Sequence, residues 1–376
     1  MTLFMDDSSH YVHSSDSFYP LCYVKLLNLT TPRRNRMLSL SPRDHESKLS
    51  SLLFWSASAG MTAYYVWQYR QKRQQSERGL PAHLLDPAVH PYVNQLQVAL
   101  RLAHQAANNM MGYYTDKGTI HQNLHNLQVQ TKSSHQDFCT QVDLDNEQLI
   151  FEGLRKRFPS HALIGEESVG TGQIPKLSKT QPTWIVDPVD GTTNFASGLP
   201  LSCVSLGYCE NGQPVLGVVV APMTNEVYIA VKGHGAYRNG VRIQATNKTT
   251  NDLTNAVVCV EYGYVDNQPE KVNKLLACVK NLLLHGCKSI RGLGSGVLDM
   301  CYVATGRLDA VYAGVAGEGW KPWDYCAGLI ICQEAKCCVE AIEADSNNGV
   351  FDLYSESIIC ATSKELVEEL RRVIRQ

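Results

Sequence analysis

Apolar residues change their spacing at a few sharp places along this 376-residue chain, and those places define its organisation. Leu96, Leu100, Ala103, Ala107 and Met110 recur at helical intervals, which predicts an amphipathic helix beginning near Pro91. A second helix is predicted over residues 144–158. It follows the polar stretch 130–137 and Thr140-Gln141-Val142-Asp143, where Asp143 suits a helix N-cap. Ala162-Leu163-Ile164 reads as a short strand that delivers Gly165-Glu166-Glu167-Ser168, two glutamates that surface exposure alone would explain. Trp184, Ile185 and Val186 are β-formers bounded by Pro182 and Pro188, so a buried strand should end near Asp187. Over residues 204–231 short apolar runs alternate with turns at Asn211-Gly212 and around Pro222, the pattern of antiparallel strands. Gly233, Gly235 and Asn239-Gly240 add hairpin turns.

Residues 251–286 read as strand then helix, and a strand near Ile290 enters Gly292-Leu293-Gly294-Ser295-Gly296 before a helix over 297–305. Pro322-Trp323-Asp324 opens another helix, with Asp324 in the first turn where the dipole favours a carboxylate. Thr362 and Glu365 form a capping box for a last helix reaching Val373. There is no internal repeat and no P-loop, and the glycine run at 292–296 is too short for a dinucleotide fingerprint.

The first 85 residues read as an extension. Residues 1–48 are rich in Ser, Pro and charge, carry Arg33-Arg34-Asn35-Arg36, and show no period. Residues 49–69 hold no charge, and aromatics near both ends and Arg70, Lys72 and Arg73 resemble interfacial anchors. Interspersed Ser50, Ser51, Ser56, Ser58, Gly60 and Thr62 dilute the hydrophobicity, and Ala57-Ser58-Ala59 suits cleavage. Three readings stay open: a single-pass membrane anchor, a cleaved or organelle-targeting peptide, and a soluble amphipathic helix. The rest divides into an N-terminal α+β part, 86–250, and a C-terminal α/β part, 251–376. A net charge of −2 argues against nucleic acid as the partner. Thirteen cysteines without paired metal-ligand spacing read as reduced thiols of an intracellular protein, with the globular part expected in the cytoplasm.

Candidate chemistry concentrates at Asp187-Pro188-Val189-Asp190-Gly191-Thr192-Thr193-Asn194-Phe195. Pro188 constrains the two aspartates, and Gly191, Thr192 and Thr193 offer consecutive N–H groups suited to phosphate oxygens. Acids beside anion donors are reconciled by a cation, which points to metal-assisted phosphate handling. An Asx-turn capped by both aspartates is the bland alternative for the short Asp-Pro-x-Asp-Gly string.

The longer string resembles the signature of the inositol monophosphatase family, Asp-Pro-x-Asp-Gly-Thr-x-Asn-Phe. Gly165-Glu166-Glu167-Ser168 and Trp323-Asp324-x-x-Ala327-Gly328 resemble its other two motifs, in order, so the resemblance covers about residues 91–376. It implies an α/β fold, the five-layer α/β/α/β/α sandwich shared with fructose bisphosphatase, and a homodimer. It also implies two to three Mg²⁺ ions: Glu166, Asp187 and the Val189 carbonyl at the first, Asp187, Asp190 and Asp324 at the second, and a weaker third reached from Glu166 through water. Thr192 and Asp143 are implied as the catalytic pair that orients or deprotonates the attacking water. Substrate contacts are implied for the Gly191, Thr192 and Thr193 N–H groups, for Ser295 and Gly296, for Glu318 and for Lys132. The chain departs from the family pattern in the long glycine-rich stretch 314–322 and in Lys336-Cys337, which replaces a glycine pair. The expected activity is hydrolysis of myo-inositol 1-phosphate and related phosphorylated polyols, with lithium sensitivity. A relative acting on a sugar 1-phosphate, histidinol phosphate or a 3′-phosphonucleotide is the same-class alternative, and a catalytically silent anchored scaffold the different-class one.

Overall fold

The computed structural model describes residues 80–115, 129–134, 137–245, 252–262, 268–317, 319–343 and 350–376. The candidate anchor at 49–69 and Glu318 lie outside those residues. Among the described residues no helix is long and apolar enough to cross a membrane.

Two helices form one outer layer: α1 (Val93–Thr115) and, after the hairpin β1 (Gln130–Ser134) and β2 (Asp137–Cys139), α2 (Gln141–Arg157). The stripe Leu96, Leu100, Ala103, Ala107 and Met110 is buried as its spacing predicts, packing with Ile150 and Leu154 of α2 against one face of a seven-stranded sheet. Each fully buried Leu or Ile there contributes about 1.5–3 kcal/mol. The sheet runs in sequence order through β3 (Ala162–Gly165), β4 (Thr183–Asp190), β5 (Cys203–Glu210), β6 (Gln213–Ala221), β7 (Glu226–Val231), β8 (Gly235–Arg238) and β9 (Val241–Ile243), with the short helices α3 (Glu166–Val169) and α4 (Thr192–Ser197) in its connections. In this sheet only the β3–β4 pair is parallel; each later pair is antiparallel, and from β5 onward the strands are joined by hairpins, as the turn signals imply.

The second sheet comes from β10 (Val257–Val260), β11 (Ser289–Arg291), β12 (Ala310–Ala313), β13 (Cys338–Glu340) and β14 (Ile358–Ala361), in the order β11-β10-β12-β14-β13. Its outer face is covered by α5 (Pro269–His285) and α8 (Lys364–Ile374). Between the sheets lie α6 (Gly296–Ala304) and α7 (Pro322–Glu334), whose side chains share one core with inward residues of both. Strand alternation makes this possible, because Ile185 faces the middle layer while Trp184 and Val186 face α1 and α2. The result is the five-layer α/β/α/β/α sandwich.

α7 lies close against the seven-stranded sheet because Gly217 carries no side chain. A Cβ at Gly217 would stand 2.7 Å from the Ala327 carbonyl oxygen. That close approach fixes where the N-terminus of α7, and Asp324 with it, comes to rest.

Three local expectations are corrected. β4 does not stop near Asp187 but pairs with β5 as far as Asp190, with the register broken between the two aspartates; a bulge at Pro188 accommodates the missing N–H. Asp143 is not the N-cap of α2: Thr140 is, and the helix begins at Gln141. α8 is capped by Ser363, whose hydroxyl accepts from the Leu366 N–H, so Thr362 and Glu365 do not form its box.

Candidate active site

The bulge in β4 sends Asp187 and Asp190 toward the N-terminus of α7, where Asp324 occupies the third position. One carboxylate oxygen from each of Asp187, Asp190 and Asp324 lies within 4.8 Å of the others. Each acid is oriented by a different device. Asp187 Oδ1 accepts from the Val189 N–H at 3.0 Å. Asp324 Oδ2 accepts from the Lys321 N–H at 2.6 Å, closing the first turn of α7. Asp190 Oδ2 accepts from the Val297 N–H at 3.2 Å, from the Ser295 hydroxyl and from the Cys203 thiol, so the start of α6 holds that oxygen and leaves Oδ1 for another partner.

Burial raises the proton affinity of all three, and the neighbouring acids add to it. Asp187 is held well above the usual carboxylate range by burial and then by Glu166, Asp190 and Asp324. Asp324 is held up by burial, Asp190 and Glu166. Asp190 is pushed up to about 7 by burial, with the bonds from Ser295 and Cys203 opposing. Two buried carboxylates and a half-buried third cannot all remain charged side by side without a cation or protons. The donor set is hard oxygen throughout, the type that suits Mg²⁺ or a similar ion.

Glu166 opens α3 and acts on each of these acids electrostatically without joining the tight group of three. Its Oε1 receives the Lys132 ammonium at 2.7 Å, and Glu167 Oε1 receives the same group at 2.8 Å. Burial works against charge on Lys132, yet the two glutamates outweigh it and raise its proton affinity. Glu167 is pushed up to about 8 by burial and Glu166. The two glutamates are therefore bound structure, not loose surface charge.

Glu147 supplies a contact that sequence reasoning missed. From α2 its Oε2 and Oε1 accept the Glu167 and Ser168 N–H groups, each at 2.8 Å, and so fix the first turn of α3. Asn194 holds two loops together, a role its place in the motif does not announce. Its amide donates to the carbonyls of Leu201 at 2.8 Å and Leu293 at 2.6 Å, joining the β4 loop to the loop before α6.

Thr192 begins α4 behind Gly191, which takes the left-handed conformation (φ 79°) the turn requires. The Thr192 hydroxyl is 3.1 Å from Asp143 Oδ1 and 3.0 Å from the Val189 carbonyl oxygen, two acceptors for its single proton. Asp143 Oδ2 accepts from the Thr140 N–H at 2.9 Å and from the Thr140 hydroxyl, so this one carboxylate closes the start of α2 and faces Thr192. Burial pushes Asp143 up to about 6, against the Thr140 bonds.

The remaining expected substrate residues are placed unevenly. Ser295 is 1% exposed, with its hydroxyl on Asp190. Gly296 sits beneath the Trp320 ring, where a Cβ would meet Cε2 and Cζ2 at 2.9 Å.

A five-layer sandwich that gathers carboxylates from a strand bulge and from helix starts is the layout of a metal-dependent phosphatase. The inositol monophosphatase family model matches residues 93–376, and the chain belongs to that family. Inositol monophosphatase 1 of Bos taurus is 35% identical over 249 residues, 66% of this chain and 86% of the relative. Inositol monophosphatase 2 of Mus musculus is 34% identical over 278 residues, 74% and 89% of the two chains. Among solved structures, the extragenic suppressor protein suhB of Bartonella henselae has a TM-score of 0.63 at 28% identity, covering 75% of this chain and 99% of that one. The Thermotoga maritima IMPase has a TM-score of 0.60 at 30% identity, with 75% and 97% covered.

Proposed function

We propose that this chain is a Mg²⁺-dependent phosphomonoesterase that hydrolyses myo-inositol 1-phosphate and related inositol monophosphates. The observation that carries the reading is the group Asp187, Asp190 and Asp324 within 4.8 Å, with the Thr192–Asp143 pair beside it. The names of the relatives supply the substrate class.

Asp187, Asp190, Asp324, Glu166 and the Val189 carbonyl would hold two or three ions. Bound there, Mg²⁺ supplies Lewis-acid polarisation and charge neutralisation of the phosphoryl group. The chain's own contribution is proton transfer and positioning. The Thr192 Oγ1 takes a proton from the attacking water and passes its own to Asp143 Oδ1, whose raised proton affinity suits a base near neutral pH. The water oxygen bonds to phosphorus as the P–O bond to the alcohol breaks in line, and the departing alkoxide takes up a proton from solvent to leave as the alcohol. N–H groups of Gly191, Thr192 and Thr193 hold the phosphate oxygens. We assign Lys132 to stabilising Glu166 and Glu167, and Ser295 to holding Asp190; Gly296, with Glu318 as its proposed companion, borders the alcohol. We further propose a homodimer, and attachment of the cytoplasmic enzyme to a membrane through the N-terminal segment, which vesicle pelleting with and without residues 1–85 tests.

Phosphate release is measured across myo-inositol 1-phosphate, a sugar 1-phosphate, histidinol phosphate and a 3′-phosphonucleotide, with Mg²⁺, with chelator, and with Li⁺ added. Fastest Mg²⁺-dependent, Li⁺-inhibited turnover of the inositol ester supports the reading. Preference for another ester moves the substrate, and no turnover of any ester favours the silent scaffold.

A further inference from the structure

A second set of ligand-type side chains lies where the five-stranded sheet meets the middle helices. Cys259 in β10, Glu261 just beyond it and Asp299 in α6 each present one donor atom, and the three atoms lie within 4.8 Å of one another. Asp299 is fully buried, and neither of its carboxylate oxygens has a hydrogen-bond partner at ordinary distance; the Cys259 thiol and the Glu261 carboxyl are the polar neighbours it faces. A buried carboxylate in that state is costly, so its site calls for a cation or a proton. The Cys259 thiol is 3.6 Å from Glu261 Oε1. Glu261 Oε1 also accepts the Leu293 and Gly294 N–H groups, each at 2.9 Å, which leaves Oε2 for a further partner.

We propose that Cys259, Glu261 and Asp299 form a second cation site, separate from the three aspartates, that takes a thiophilic divalent ion of the Zn²⁺ type. One thiolate and two carboxylates make a three-ligand set that zinc accepts, with a fourth position for water beside the half-exposed Glu261. Sulfur in the set discriminates against Mg²⁺, which prefers oxygen alone. Without the ion the cluster holds protons instead. Burial and the neighbouring Glu261 keep Asp299 protonated, and burial with Asp299 nearby keeps Cys259 a thiol. Binding therefore displaces one proton from the Cys259 sulfur and one from the Asp299 carboxyl. The site stands whether or not the chain hydrolyses inositol phosphates.

The test uses the reduced, metal-stripped full chain, first saturated with Mg²⁺ and then titrated with Co²⁺ as a spectroscopic stand-in for zinc. The expected result is a near-ultraviolet thiolate-to-cobalt charge-transfer band that saturates at one equivalent and is bleached by Zn²⁺. Cys259→Ser abolishes the band, and Asp299→Asn weakens Co²⁺ binding about tenfold or more. Melting curves establish that each variant folds; if Cys259→Ser does not, the near-isosteric Asp299→Asn decides. No band in the wild type, a band retained in Cys259→Ser, or unchanged affinity in Asp299→Asn overturns the proposal.

Discussion

The Thr192 hydroxyl and Asp143 Oδ1, 49 residues apart in sequence, stand 3.1 Å from each other at the junction of α4 and α2. Both belong to helix starts, so neither can drift without unwinding a first turn. Thr192→Ala is expected to lower kcat by about 10²–10⁴-fold, while Thr192→Ser, which keeps the hydroxyl, stays within about tenfold of the wild type. Asp143→Asn should lose a comparable factor and keep its melting temperature, because the amide oxygen still accepts the Thr140 N–H. Steady-state kinetics with calorimetric melting on the three variants check both halves.

Ser295 is expected to govern metal affinity rather than substrate affinity, since its hydroxyl donates to Asp190. Ser295→Ala should raise the Mg²⁺ concentration needed for half-maximal rate by about 10–100-fold, with KM for the phosphate ester nearly unchanged at saturating metal. A shift in KM alone would return Ser295 to the substrate.

Glu147 positions Glu166 through the first turn of α3. Glu147→Ala removes both acceptors for the Glu167 and Ser168 N–H groups, and should destabilise the fold by about 1–3 kcal/mol. The same change should weaken metal dependence by about tenfold. Glu147→Gln, which retains one carbonyl oxygen, should recover part of both losses in urea unfolding and Mg²⁺ titration.

The metal-free protein should lose stability as pH rises. Asp190 moves from 3.8 in its ordinary state to about 7 when folded, so between those values the folded chain binds the extra proton and the unfolded chain does not. Stability is then greatest below the lower value and falls until the upper one is passed. In chelator, the melting temperature at about pH 8 should lie at least 2 °C or so below that at about pH 5, and saturating Mg²⁺ should close the gap. Asp190→Asn should make the metal-free dependence shallower, with Asp187, Asp324 and Glu167 carrying the remainder, and an equal slope in that variant would assign the effect to those groups alone.

Much of the architecture was readable from local spacing. The α1 stripe from Leu96 to Met110, the hairpins after Val204 and the Pro322 helix start are each set by residues within a few positions of one another. The motif aspartates were legible for the same reason. Contacts across the fold were not: Glu147 has the appearance of a solvated helix acid until α3 is packed above it, and the Ser295 hydroxyl reaches an aspartate 105 residues away. Asp143 illustrates how one side chain carries two local meanings, since it closes a helix turn and faces Thr192 at once. Lys132 was legible as a basic residue near the site, but its two glutamate partners emerge only when β1 meets α3.

If Asp187 and its neighbours work through a bound cation, phosphate release from myo-inositol 1-phosphate must follow a Mg²⁺ titration. Wild-type turnover should rise from background in chelator to a plateau, while folded Asp187→Asn stays lower by at least about 100-fold at every Mg²⁺ concentration. Turnover that survives chelation, or an Asp187→Asn variant that matches the wild type, would remove the cation from the chemistry.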